Sequence, residues 1–201
     1  MKLRMSFDIR EAFKIPVYIV TPALIFLACQ CLLKYVFDIL WPSVIICEGN
    51  NAISSCVFLP FVVLAYGSKF SSSSLLKYMK LAFSFSVAIA VGSLLLLYLQ
   101  IAAKYETEFL LYILGVGIAG PVVEEIIYRG FVFERSQVYF QDWQAIILNA
   151  LLFAVGHHSV TNITLAFLAG IIFSVTLKRT KTLLAPICLH IIWNLINLFS
   201  N

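Results

Sequence analysis

The sequence predicts an all-α protein, a polytopic bundle of about seven transmembrane helices with its N-terminus inside. Three observations carry that prediction. Of the 201 residues, 62% are hydrophobic and only 12% charged, against about 45–50% and about 25% in ordinary soluble domains. The apolar residues fall in runs close to the roughly 20 residues that a helix needs to cross a bilayer. Lys and Arg gather at alternate ends of those runs. Residues 1–201 therefore read as one integral membrane domain, with no stretch polar enough to fold apart in water.

Seven spans follow in order, near 15–33, 52–66, 81–100, 109–128, 144–158, 160–177 and 183–199. The first begins after a basic stretch and lacks a small-residue cleavage pattern, so it reads as a retained helix. Residues 34–51 are broken by Trp41-Pro42 and suit an interfacial loop with a short helix. The Ser-rich stretch 67–80 reads as a loop. Trp41, Tyr35 and Tyr105 near span ends suit the interfacial aromatic belt.

With the N-terminus inside, 12 of the 14 Lys and Arg residues fall on the inner side, and only Lys34 and Lys104 fall outside. An odd number of spans then puts the C-terminus outside. The net charge of +4 marks this asymmetry and not a nucleic-acid surface. Five cysteines, with no CxxC spacing, read as buried small hydrophobes.

Against this background "PVVEEIIYRG", residues 121–130, stands out. A charged side chain at mid-membrane costs roughly 2.5–3.5 kcal/mol on insertion scales, so three together need a reason. Adjacent residues on a helix point about 100° apart. Glu125 and Arg129, spaced i, i+4, share a face and can pair. A structural clamp accounts for those two. Glu124 points elsewhere, has no such partner, and is the candidate for chemistry. Gly120-Pro121 just before it loosens the helix.

All three histidines also lie in apolar surroundings. His157 and His158 end the fifth span; His190 and Asn194 share one face of the seventh at i, i+4. A lone intramembrane His is usually a satisfied interhelical hydrogen-bonder. Three of them beside a free carboxylate and an Asn are the ingredients of a hydrolytic site: a base, an imidazole, and donors for an oxyanion. His157 and His158 point to different faces, so one of them belongs to such a site; His158 suits the helix end, bonded to backbone or water. No Gly-rich phosphate loop, HExxH or Ser-His-Asp order is present.

Glu124-Glu125-xxx-Arg129, then Phe153-xxx-His157, then His190-xxx-Asn194 resemble the three motifs of the CPBP family of intramembrane proteases. That family includes type II CAAX prenyl endopeptidases and bacteriocin-processing and immunity proteins. The resemblance lies within residues 109–199, the C-terminal half; the first hundred residues carry no motif. It implies that Glu124 activates a water, His157 helps hold it, and His190 and Asn194 stabilise the oxyanion. Glu125 and Arg129 would orient the site, and Phe153 would pack one turn before His157. It further implies a glutamate-dependent enzyme with no required cofactor. Zn, held by Glu124, His157 and His190, is the alternative, although no closely spaced HExxH supports it.

The expected activity is endopeptidase cleavage of a membrane-associated peptide or protein in a multi-pass protein of the cell membrane, with the lipid bilayer as its other partner and no nucleic acid. The alternative is a non-catalytic immunity or binding protein of the same fold. A proton relay fits less well, because relays string ionisable groups along a path and here they gather at one place. Nothing in the chain reads a lipid or sequence preference in the substrate.

Overall fold

In a bilayer only internally hydrogen-bonded backbone is affordable, so apolar runs must fold as helices. The computed structural model describes residues 9–40, 47–67, 73–103 and 108–200, and these form seven helices with no strand among them. They are α1 (Ile9–Leu40), α2 (Cys47–Gly67), α3 (Ser73–Ala103), the rod α4, α5 (Asp142–Val155), α6 (Val160–Thr180) and α7 (Leu184–Ser200). The rod runs through Glu108–Tyr112, a π-helical stretch Ile113–Ala119, α-helical Gly120–Glu125, a second π-helical stretch Ile126–Phe133, and Glu134–Tyr139.

Each helix coincides with a span expected from the sequence, and α1, α3 and the rod α4 exceed theirs most. α1 continues to Leu40, where a loop was expected from residue 34. α3 begins at Ser73, inside the expected Ser-rich loop. The rod α4 runs 11 residues past the expected end at 128, because Arg129, Glu134 and Arg135 all find partners there. The Trp41-Pro42 break, Tyr105 and most of the 67–72 stretch lie outside the described residues.

By length and composition three segments are able to cross a membrane: Lys80–Leu99, Phe109–Tyr139 and Val160–Thr180. The remaining apolar segments, Val17–Cys29, Ile53–Gly67, Asp142–Val155 and Leu184–Ser200, are shorter. The exterior is apolar, with Phe61, Phe85, Leu95, Val155, Val160 and Phe199 exposed, as lipid contact requires. The protein is a helical membrane bundle.

Its axis is α4. Within Phe109–Tyr139, 56% of the most apolar window is buried inside the protein, against 22% and 28% for the other two long segments. The rod touches all six other helices. The core runs along it through Ala119, Val123, Ile126, Ile127, Tyr128 and Val132, against Ile19, Ala23 and Phe26 of α1 and Cys56, Leu59, Val62 and Val63 of α2. The cysteines do not all behave as expected: Cys56 is buried, Cys29 is half-buried, and Cys31 and Cys188 are exposed on the apolar exterior, all as free thiols. Residues outside the tight core have no packing reason to be hidden, because lipid accepts a thiol as readily as the interior does.

Two prolines shape the bundle through the donors they lack. In α1 the carbonyl of Tyr18 should accept from residue 22, but residue 22 is Pro and has no N–H. Arg135 of α4 supplies the missing donor, with Nη1 2.7 Å from the Tyr18 oxygen. The same guanidinium lies 4.3 Å from the centre of the Tyr18 ring, a cation–π contact. In α4 the Gly120 N–H reaches back five residues to Gly115 O, so Val116 O would be next, paired with residue 121. That residue is Pro121. Where the sequence suggested a break at Gly120-Pro121, the rod is continuous and absorbs the proline by π-helical winding.

The α4–α5 and α5–α6 connections are short and capped. The Gln144 side chain accepts from the Gln141 N–H at 3.0 Å, starting α5. Ser159 Oγ accepts from Asn162 N at 3.1 Å, starting α6. Asp142 accepts from Lys178 at 2.5 Å and from Gln137 at 3.3 Å, tying the ends of α4, α5 and α6. Those donors, Lys178 foremost, hold the Asp142 carboxyl below its usual range.

α5 and α6 meet closely at Gly170. A Cβ there would stand 2.9 Å from Ala150 Cα, so only glycine permits this approach.

Candidate active site

A helical hairpin brings the first two motifs to one level. Glu124 lies 15 residues before the end of α4 at Tyr139, and His157 lies 15 residues after α5 begins at Asp142. Glu124 is midway along the rod between Glu108 and Tyr139. α6 and α7 form a second hairpin, whose pairing sets His190 against Phe173.

The centre of the site is a buried charged cluster. Glu125 and Arg129 pair at 3.0 Å, both with fully buried side chains. His190 Nδ1 lies 2.9 Å from the same Glu125 oxygen. A carboxylate only accepts, so Nδ1 carries the proton. Arg129 Nη2 also donates to Gly170 O at 3.3 Å. Its guanidinium is sandwiched by Phe153, 4.5 Å from that ring's centre, and Phe173 at 5.3 Å. Phe173 stacks on His190 at 4.9 Å, while Phe153 meets His190 edge-on at 5.7 Å.

Glu124 behaves differently from its neighbour. Its side chain is 27% exposed, and Oε2 stands 3.8 Å from His190 Nε2, too far for a direct hydrogen bond. The carboxylate accepts none from any described residue. Phe153 meets both His157 and His190, so the second motif adjoins the same cluster. One carboxylate is tied down by an arginine and an imidazole; the other is open.

His157 sits just past the end of α5, its Nδ1 3.2 Å from the Phe153 carbonyl. A carbonyl only accepts, so Nδ1 is the donor and Nε2 of the neutral ring is left as an acceptor. Its ring meets Phe153 edge-on at 5.3 Å. Phe153 thus touches Arg129, Tyr128, His157 and His190, well beyond the packing expected of it. His158 stands in the α5–α6 turn and is exposed.

Asn194 has a structural task. Its Nδ2 donates at 2.9 Å to Val116 O, the carbonyl that Pro121 leaves without a partner. One amide hydrogen is committed there, and the second remains for another acceptor.

Sequence reasoning did not find four other participants. Phe173 stacks on the histidine, Gly170 lends its carbonyl, and Ser174 with Asn149 extends the polar chain. Ser174 Oγ donates to Gly170 O at 2.8 Å and accepts from Asn149 Nδ2 at 2.9 Å. The available signal was small and polar residues in apolar helices, which mark close packing and hydrogen bonding in membranes. Among the described residues no group of three or more His, Cys, Asp or Glu side chains is placed to hold a metal ion.

Fold and cluster together define a class: helical membrane proteins that keep an acid–imidazole centre inside the bundle. Within that class, residues 106–196 match the family described as type II CAAX prenyl endopeptidase Rce1-like, in agreement with the three motifs. An Escherichia coli protein named "Uncharacterized 24.3 kDa protein" is 35% identical over 94 residues, covering 44% of this chain and 43% of that protein. The Bacillus subtilis protein named "Putative membrane peptidase YdiL" is 30% identical over 88 residues, covering 42% of this chain and 34% of that one. The matches thus span less than half the length of these relatives. No solved structure matches significantly. Residues 106–196, less than half of the chain, are thus similar to a family of membrane proteases.

Proposed function

We propose that this chain is an intramembrane endopeptidase that hydrolyses a peptide bond of a membrane-associated peptide or protein through a Glu-activated water. One observation carries the reading. Of two adjacent acids, Glu125 is buried and held by Arg129 and His190 while Glu124 is partly exposed and accepts no hydrogen bond from a described residue. That is the division needed between a group that shapes a site and one that does chemistry.

The steps follow from the geometry. A water donates one hydrogen to the Glu124 carboxylate and the other to His157 Nε2. Its oxygen bonds to the scissile carbonyl carbon as its proton passes to Glu124, and the carbonyl electrons move onto oxygen. The oxyanion is met by the second amide hydrogen of Asn194 and by His190 Nε2–H. With His190 as an imidazolium, Glu124, Glu125, Arg129 and His190 sum to zero charge, which suits a low-dielectric interior. The C–N bond then breaks, and the leaving amine takes the proton held by Glu124. Donors aimed at a developing oxyanion are worth about 2.7–4 kcal/mol each in a water-poor site.

No step needs a metal or cofactor. The test is purified protein in proteoliposomes, given internally quenched peptides that end in a Cys-aliphatic-aliphatic-X tetrapeptide, with and without a farnesyl group on Cys. Cleavage that survives removal of divalent metal by chelators is the expected result. Cleavage lost on chelation and restored by zinc alone sinks the metal-free mechanism. The ratio between the two peptides measures how far prenylation matters.

The domain we propose is the whole chain, residues 1–201, as a multi-pass protein of the cell membrane with seven crossings and its N-terminus inside. The support is the lopsided distribution of Lys and Arg. On a background without native cysteines, Lys69→Cys is expected to resist a membrane-impermeant thiol reagent added to intact cells. Labelling from outside overturns the topology.

A further inference from the structure

The polar chain behind Arg129 takes no part in the steps of the proposed reaction, yet it lies where polar groups are costly. Asn149 and Ser174 have no exposed surface. On α5, Asn149 stands four residues before Phe153, so the two share a face, and Phe153 covers the Arg129 guanidinium at 4.5 Å. On α6, Ser174 stands one turn after Gly170. A Cβ on Gly170 would lie 2.9 Å from Ala150 Cα, so its absence lets the two backbones come close enough for Asn149 to reach Ser174.

From Asn149 the contacts run without a gap into the reaction site. Asn149 Nδ2 donates to Ser174 Oγ at 2.9 Å, and Ser174 Oγ donates to Gly170 O at 2.8 Å. Arg129 Nη2 donates to that same oxygen at 3.3 Å. Arg129 Nη1 meets Glu125 Oε1 at 3.0 Å, and His190 Nδ1 meets it at 2.9 Å. Asn149 Oδ1 is buried with no hydrogen-bond partner among the described residues. Leucine fills a similar volume without a stranded acceptor, so the amide calls for an account beyond packing.

The lengths at Gly170 O supply one. Its helix bond, to the N–H four residues on, already engages part of its accepting capacity. Two side-chain donors share what remains; Ser174 holds the shorter bond, and Arg129 is kept at a length beyond the usual range. A serine hydroxyl has a single hydrogen. With Asn149 donating to Oγ, that hydrogen is aimed at Gly170 O.

We infer that Asn149 and Ser174 are positioning residues for the oxyanion side of the site: their hydrogen bond keeps the Ser174 hydroxyl on Gly170 O and so stops that carbonyl from drawing Arg129 off Glu125. Without it Arg129 moves toward α6, Glu125 loosens, and the His190 ring it holds turns from its place. Neither residue touches substrate. The inference rests on the endopeptidase reading.

The test uses Asn149→Leu, Ser174→Ala, the two together, and Glu124→Gln, in the full chain in proteoliposomes, with the quenched farnesylated peptide and its unmodified counterpart. The first three variants are each expected to lower kcat about 10-fold with KM unchanged, less than the roughly 100-fold of a 1 Å misplacement. The double variant loses no more than either single one, because the two residues act in series. Thermal midpoints in detergent fall in a different order. Ser174→Ala lies below wild type because it strands Asn149 Nδ2, whereas Asn149→Leu and the double variant match or exceed wild type. A kcat that simply follows the midpoint assigns both residues to packing and overturns the inference. Unchanged kcat in Asn149→Leu, or a double variant whose loss is the product of the two single losses, also overturns it. In each of these cases an inactive Glu124→Gln leaves the endopeptidase reading standing. Glu124→Gln with full turnover, or wild-type protein that cleaves neither peptide, overturns that reading and this inference with it.

Discussion

Glu124→Gln protein reaches the membrane at the wild-type level, folds, and loses turnover by about 10²- to 10⁴-fold, the range for removal of a general base. The substitution keeps the size of the side chain and breaks no hydrogen bond to a described residue, since Glu124 makes none. Nothing in the packing should register the change. The measurement pairs membrane abundance and thermal midpoint with initial cleavage rate. A well-expressed Glu124→Gln protein with full activity would reject Glu-activated hydrolysis and favour a binding role for the fold.

Glu125→Gln is expected to fail at the other end, in stability before chemistry. Arg129 has no exposed surface, and its Nη1 has Glu125 as its one ionic partner among the described residues. Removing one member of a buried pair leaves the other charge uncompensated, at a cost of about 3–5 kcal/mol. That is a large share of the stability of an ordinary domain. His190 Nδ1 also exchanges a carboxylate for a neutral amide, weakening its orientation. Low abundance of Glu125→Gln beside normal abundance of Glu124→Gln is the predicted pattern. Equal abundance of the two would show that the carboxylates are interchangeable and undo the division of roles.

Much of the bundle was legible because hydropathy reports the apolar part of each helix. It was silent on the ends. Ser73 to Met79 and Arg129 to Tyr139 are helical but carry polar and charged residues that interrupt the apolar runs. Their helicity comes from continuing backbone bonds and, for Arg135, from a carbonyl on α1.

Within the site, the i, i+4 rule was enough to pair Glu125 with Arg129, since it involves one helix only. His190 on Glu125, Asn194 on Val116 and Phe173 on His190 needed the relation between helices, which the sequence does not state. Phe173 was the hardest to see, because an aromatic facing a histidine and one facing lipid look alike in a chain with 17 Phe. The π-helical winding was equally hidden: it changes which residue Pro121 deprives of a donor, from the fourth before it to the fifth.

The two proline deficits also bear on how the chain finds its own arrangement. A carbonyl stranded in oil is a lock with few keys, since only a side chain with a spare N–H at the right depth can fill it. Tyr18 O admits Arg135, and Val116 O admits Asn194, each from a distant part of the chain. Helices that slide past one another with greasy faces alone have many near-equal alignments. These two pairings count against every alignment but one, so they act as registration marks during assembly. One of them holds Asn194, and so places an end of the reaction site by the same act that seats α7 on the rod.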